Sequence, residues 1–341
     1  MLCRKMIVTV CFAVACLFHA GLSFAEPVRI LMVETMPVPA VLEHERAFVE
    51  GLEHLGYGVG KDVAIDTIKG QGDSERIKTG LAEYLSRHKP DIVVSFATLA
   101  SVAAHEALDG TDIPLVFCVV SDPVGAGLIK EVGKPTGTNV TGLVFSLMHR
   151  AKMDLAKSLL TQPFPGRPVR VGVVHSDYPA AVAEVNAMSA IADEDGRIRF
   201  ESHKVKFRPI PEGLESMLAE ASEGIAALSS EVDYWWIVPG PLGETAEFSR
   251  LLLDTTVPVG LCHTENCCKG GGLLFIGPEN GKGGRQVASM VDRILTGTAP
   301  GNIPPVPPDS FDMGINLTTA IELNIVIPSQ YLELAGEHVW R

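Results

Sequence analysis

The sequence predicts an α/β protein of two doubly wound units, each built on a parallel sheet. Three observations carry that expectation. Short runs rich in Val, Ile and Leu alternate with longer amphipathic stretches, the rhythm of strands crossed over by helices. That rhythm runs from Val28 to Val119 and begins again at Val169. A proline-rich stretch from Pro300 to Pro308 then follows the last long helix, and it reads as a connector too long and too stiff to lie inside a sheet.

The first segment, residues 1–25, reads as a signal peptide. Arg4 and Lys5 give a basic start, Met6 to Phe18 are almost wholly apolar, and Ser23-Phe24-Ala25 places small residues at the cleavage positions. The apolar run is about 13 residues, short of the ~20 that span a bilayer, and no later segment approaches that length. The reading is therefore an exported, soluble chain that begins at Glu26. Removing 25 of 341 residues leaves 316, enough for two domains with their own cores.

In the first unit, Val28 to Val33 is a strand, Val41 to Leu55 a helix stopped at Gly56-Tyr57-Gly58, and Val63 to Asp66 a strand. Ile77 to Arg87 is a helix, Asp91 to Ser95 a strand, Ala100 to Leu108 a helix, and Pro114 to Val119 a strand. In the second unit, strands are expected at Val169 to Val174, Phe200 to Phe207, Tyr234 to Val238 and Val257 to Leu261. Helices alternate with them at Ala180 to Asp193, Leu214 to Leu228 and Thr245 to Leu253, and Gly283 to Thr296 is one more. Trp235 and Trp236 lie within a strand and read as core.

Charge narrows the partners. Taking Arg4 and Lys5 from the 28 basic residues leaves 26 against 41 acidic ones, a net −15 where the whole chain carries −13. Such a surface repels phosphate backbones and anionic lipid, so nucleic acid is not an expected partner. Of seven cysteines, Cys118, Cys262, Cys267 and Cys268 remain after the signal, in a compartment where thiols pair. Four cysteines permit three full pairings. The run Cys262-His263-Thr264-Glu265-Asn266-Cys267-Cys268 is too compact for the separated ligands of a tetrahedral metal site. It reads as a loop facing a cleft, with a local disulfide from Cys262 to Cys267 or Cys268, and Cys118 joining only if the fold brings it close.

No Gly-x-Ser-x-Gly elbow, phosphate-binding Gly-x-x-x-x-Gly-Lys loop or His-Glu-x-x-His motif is present, so the chain reads as a binder rather than an enzyme, with no cofactor implied. Gly281-Lys282-Gly283-Gly284 opens a helix but lacks a phosphate loop's spacing.

The stretches Ser121-Asp122-Pro123-Val124-Gly125-Ala126-Gly127-Leu128 and Pro135 to Gly142 resemble the substrate-binding proteins of ABC transporters. The match is to the type I periplasmic-binding fold, in the group with tryptophan- and other aromatic-amino-acid-binding members. Ala47 to Tyr57, Gly284-Arg285-Gln286, Ile315 to Ala320 and Ile327-Pro328 carry the same resemblance, which spans essentially the whole mature chain. It implies two lobes joined by three crossings, near Gly142 to Ser146, Phe275 to Pro278 and Pro308 to Gly314. The expected lobes are residues 26–142 with 277–308, and 143–276 with 309–341. It further implies a periplasmic monomer that closes on a small molecule, an amino acid or related carboxylate, and delivers it to an inner-membrane ABC permease. An extracytoplasmic sensor signalling to a membrane partner is the alternative, and a cryptic hydrolase or metal-dependent enzyme is a third reading.

Ligands of parallel α/β sheets sit beyond the strands' carboxyl ends. There Ala97 and Thr98 open a helix, with Ser101 nearby, whose N–H groups and dipole suit a carboxylate; the bland reading is an ordinary cap. Asp122, held out of helix by Pro123, can pair with an ammonium or bond its own turn. Glu34 and Thr35 can reach the same cleft from the first loop. From the second unit come Ser176 and Tyr178, the latter stacking on a ligand or covering the rim, then Pro239 and Gly240, and His263 and Glu265. Many relatives carry an Asp-Asn-like pair where this chain has Gly240-Pro241.

Overall fold

The computed structural model describes residues 26–145, 149–278 and 282–341; residues 1–25, read above as a signal peptide, lie outside them. Two sheets organise the chain. The first holds β1 (Val28–Glu34), β2 (Val63–Lys69), β3 (Ile92–Phe96), β4 (Leu115–Val120) and β5 (Val140–Val144) in the order β2-β1-β3-β4-β5, all parallel. The second holds β6 (Val169–Ser176), β7 (Ile198–Val205), β8 (Tyr234–Trp236), β9 (Val259–Cys262), β10 (Leu274–Pro278), β11 (Phe311–Asn316) and β12 (Val339–Trp340). Its order is β12-β11-β10-β9-β8-β6-β7, and only β10 and β11 run antiparallel. Strand order reverses between β1 and β3 and again between β6 and β8, so each sheet has a crevice at the carboxyl ends of those strands.

Helices cover both faces of each sheet. In the first they are α1 (Pro39–His54), α2 (Ser74–Leu85) and α3 (Thr98–Ala107). α1 starts on Pro39, whose fixed φ suits a first turn, and buries Val41, Phe48 and Leu52. α2 starts before Ile77 because Asp73 caps it, accepting from the N–H of Glu75 at 2.8 Å and of Arg76 at 3.2 Å. The late helix α9 (Lys282–Leu295) returns to pack on α1. Gly284 makes that contact possible: a Cβ there would lie 2.3 Å from the His44 carbonyl oxygen, so only glycine lets the two backbones approach so closely. The glycines at this helix start therefore serve packing.

The second sheet carries α4 (His149–Leu160), α5 (Pro179–Asp193), α6 (Leu214–Leu228), α7 (Ala246–Leu253), α8 (Glu265–Lys269), α10 (Leu317–Glu322) and α11 (Ser329–Ala335). Trp235 and Trp236 are fully buried on opposite faces of β8, and Trp340 stands on β12 of the same sheet. Between α4 and α5 the Glu184 carboxylate, 2% exposed, meets Lys152 Nζ at 2.5 Å and His149 Nε2 at 2.9 Å.

The proline-rich connector belongs to neither sheet. It contains a single 3₁₀ turn at Pro300–Asn302, and Val306 then bridges Leu143 of β5, its neighbour Val144 donating to the Val306 carbonyl at 2.9 Å. Prolines cannot donate to a ladder but are tolerated at an edge, and this stretch borders the edge strand of the first sheet.

Candidate functional site

The chain leaves β3 at Phe96 and turns on Ala97, whose φ of 69° is unusual for a residue with a Cβ. Several bonds fix that turn. The Ala97 N–H donates to the Cys118 carbonyl at 2.9 Å, and the Ser101 hydroxyl donates back to the Ala97 carbonyl at 2.9 Å while meeting Ser95 Oγ. Ser101 therefore faces inward, away from the cleft. α3 carries no cap of its own. Its cap comes from the loop after β1, where the buried Thr35 hydroxyl accepts from the Ala100 N–H at 2.9 Å. The remaining N–H groups of that first turn, on Thr98 and Leu99, point toward the second sheet.

Tyr178 meets them. It follows β6, is 4% exposed, and its ring packs edge-on against Phe207 at 5.1 Å. Its hydroxyl lies against the backbone of Leu99 and Thr98 and the hydroxyls of Thr35 and Thr98. Burial pushes its pKa up to about 12, against the pull of those contacts, so the phenol stays neutral. A residue of the second sheet thus occupies the helix terminus of the first.

Around this contact lie Met36, Val38, Phe145, Pro239, Gly240 and Glu244, enclosing ≈ 40 Å³, room for a water or two. Val119 borders the same space with φ of 56°, where the β4–β5 register slips between Phe117 and Val120. Two residues with Cβ atoms in the left-handed region thus flank one small cavity, and such backbone collects at functional sites.

Beside Phe145 the space adjoins a groove of ≈ 610 Å³ that shares Ala40, Phe145 and Glu244 with the cavity and includes His263, Thr264 and Glu265. Glu244 Oε1 lies 2.8 Å from His263 Nε2, and Glu265 Oε1 lies 3.2 Å from His338 Nδ1. The stretch from His263 to Cys267 borders this groove. Cys262 is bonded to Cys267 with their Cα atoms 5.7 Å apart, while Cys118 and Cys268 are buried thiols that burial pushes well above the ordinary range. Replacing both Cys262 and Cys267 by serine is expected to lower unfolding free energy by about 2 kcal/mol, as loss of a short closed loop does. Denaturant titration reads it; a midpoint equal to that of the native chain would mean the bond contributes nothing.

The structure therefore brings Thr35, Ala97, Thr98, Tyr178, Pro239 and Gly240 to one point, and His263 and Glu265 to the adjoining groove. Three others go elsewhere. Asp122 accepts from the Gly125 N–H at 2.8 Å, closing its own turn, and borders a separate groove beside Asp177. Glu34 is 2% exposed on the core side of β1, its carboxyl held above the usual range by burial with Lys69 opposing. Ser176 is 1% exposed and lines neither space, its hydroxyl without a partner among the described residues. Glu244, which joins the two spaces, carries no sequence signal beyond its place after β8.

A family model described as ABC transporter substrate binding protein matches residues 30–339. A tyrosine-binding protein of Clostridioides difficile (strain R20291) is 24% identical over 289 residues, covering 84% of this chain and 78% of the relative. A conserved domain protein from Vibrio cholerae superposes with a TM-score of 0.75 at 23% identity, covering 93% of this chain and all of that one. An ABC domain from Streptococcus pneumonia in complex with L-Trp gives 0.74 at 22% identity, with 91% of this chain and 99% of that one covered.

Proposed function

Because the chain belongs to the ABC transporter substrate-binding protein family, we propose that it captures an amino acid or related carboxylate between its two sheets. It works outside the cytoplasm and delivers its load to a membrane permease. One observation carries the reading: the first turn of α3 is capped from outside by Thr35, and a neutral phenol from the opposite sheet lies against its Thr98 and Leu99 backbone. A carboxylate is the better occupant, since the helix dipole favours negative charge where a phenol brings none.

Binding then proceeds by exchange. The lobes part, Tyr178 leaves the helix terminus, a carboxylate takes its place, and contacts from both sheets favour closure. Glu244 borders the same space and supplies a negative partner for an ammonium group, the role that Asp122, turned onto its own backbone, does not fill. Met36, Val38 and Phe145 give the apolar wall. Family relatives whose names specify tyrosine or L-Trp as ligand favour an amino acid over a sugar or nucleobase.

Thermal unfolding of the mature protein against amino acids, their des-amino and decarboxylated analogues, nucleobases and sugars tests this. A ligand at a hundredfold excess over its Kd stabilises by about 2.7 kcal/mol. Amino acids should raise the midpoint, and Glu244→Gln should weaken them by about tenfold or more relative to the des-amino acids. A panel in which only sugars or nucleobases act would overturn the reading.

A further inference from the structure

The groove bordered by His263 and Glu265 is larger and more acidic than the cavity it adjoins. Glu43 of α1, Glu244 and Glu265 all border it, two of them with imidazole partners, whereas Glu43 has no salt bridge among the described residues. Burial, then Glu244 and Glu265, hold the Glu43 carboxyl above its ordinary value, with Arg46 opposing. Arg250 and Asp254 border the groove too, but as one charge of each sign they offset one another. A second observation is independent of charge. Ser249 of α7 also borders the groove, is 5% exposed, and its Oγ has no hydrogen-bond partner among the described residues. Helical serines ordinarily bond a carbonyl one turn back, so an idle buried hydroxyl at a groove wall is an acceptor waiting for a donor.

The carboxylates are spread along the groove. Among the described residues no three His, Cys, Asp or Glu side chains are placed to share a metal ion. An extended organic cation suits that spread better than a point ion. Phe145 and Phe275 add ring surface along which a methylene stem can lie.

Resting on the carboxylate reading of α3, we propose that this groove is the subsite for a protonated side-chain nitrogen, so that the ligand is a basic amino acid of the lysine, ornithine or arginine class. The carboxylate binds at Thr98 and Leu99, the α-ammonium faces Glu244, and the side chain runs past Phe145 so that its nitrogen donates to Glu43 and Ser249 Oγ. An ammonium on a flexible four-carbon stem has the three donors that such a set requires. An aromatic side chain would bury those acceptors without satisfying them, which costs binding free energy.

The test compares L-lysine with L-norleucine, which keeps the carbon chain and lacks the terminal nitrogen, and with L-tryptophan, by thermal shift and calorimetry on the mature protein. Lysine should bind at least about tenfold tighter than norleucine. In Glu43→Gln the lysine-to-norleucine ratio should fall toward one, and in Ser249→Ala it should fall in part. Norleucine or tryptophan equal to lysine overturns the groove assignment and leaves the carboxylate reading standing. Cadaverine binding as tightly as lysine supports the groove and removes the carboxylate from the site. If no amino acid or amine binds, both proposals fall.

Discussion

Lys152→Met is expected to lower unfolding free energy by about 3–5 kcal/mol, because among the described residues it leaves the buried Glu184 carboxylate with His149 as its one remaining partner. For a chain of this size that is a fall of roughly 5–8 °C in the unfolding midpoint, read by far-ultraviolet circular dichroism. The pH dependence separates this cause from simple loss of packing. Burial alone would raise the Glu184 pKa, but Lys152 and His149 overcome it and hold the group down at about 2, against an ordinary 4.5. A depressed folded pKa contributes stability that is full above the unfolded value and is lost as pH falls from about 4.5 through 2. The gap between native chain and variant should therefore narrow across that window. Curves that stay parallel down to pH of about 3 would sink the explanation. Adding Glu184→Leu should restore much of the loss, since an apolar pair of similar volume removes the stranded charge.

Tyr178→Ala is expected to open the ligand-free protein. Its ring belongs to the core on the first sheet although the residue follows β6 of the second, so truncation removes apolar contact and the hydroxyl contacts at α3 together. Truncating a buried aromatic costs about 3–5 kcal/mol, an upper bound where the ring sits between sheets that can part. Small-angle scattering should show a larger radius of gyration without ligand. Tyr178→Phe keeps the ring and loses only the hydroxyl, at about 1 kcal/mol. It should leave the protein closed and tighten carboxylate binding several-fold, because the competing oxygen is gone. Scattering by Tyr178→Ala identical to that of the native chain would mean that the contact does not hold the sheets together.

The two sheets were legible because period and length announce parallel α/β units, and the cleft loops followed from strand direction. What escaped the sequence depends on partners far along the chain. The short strands β10 to β12 gain their identity from one another, and β5 from β4 and Val306. Thr35 caps a helix that starts 63 residues later, and nothing local marks it. Tyr178 was read as a rim or stacking residue because its hydroxyl lies against groups of the other sheet's loops and helix. Glu34 and Ser176 were within reach of a better argument. Side chains alternate along a strand, so Glu34 shares the core face of Ile30 and Met32, and Ser176 the face of Val174. The Asp73-Ser74-Glu75 start of α2 was likewise a cap in plain view. The cysteine pairing could not be chosen, since Cys267 and Cys268 are adjacent and only the fold turns one toward Cys262 and the other toward the Gly314 carbonyl.

All three tryptophans, Trp235, Trp236 and Trp340, stand on the second sheet. Excited at the red edge of the absorption band, the molecule therefore emits from one half only, and the other half is optically dark. Emission reports the second sheet alone, whereas ellipticity reports both, so the two signals divide whenever the halves melt separately. A tryptophan placed on the first sheet would turn the same protein into a pair of independent lamps.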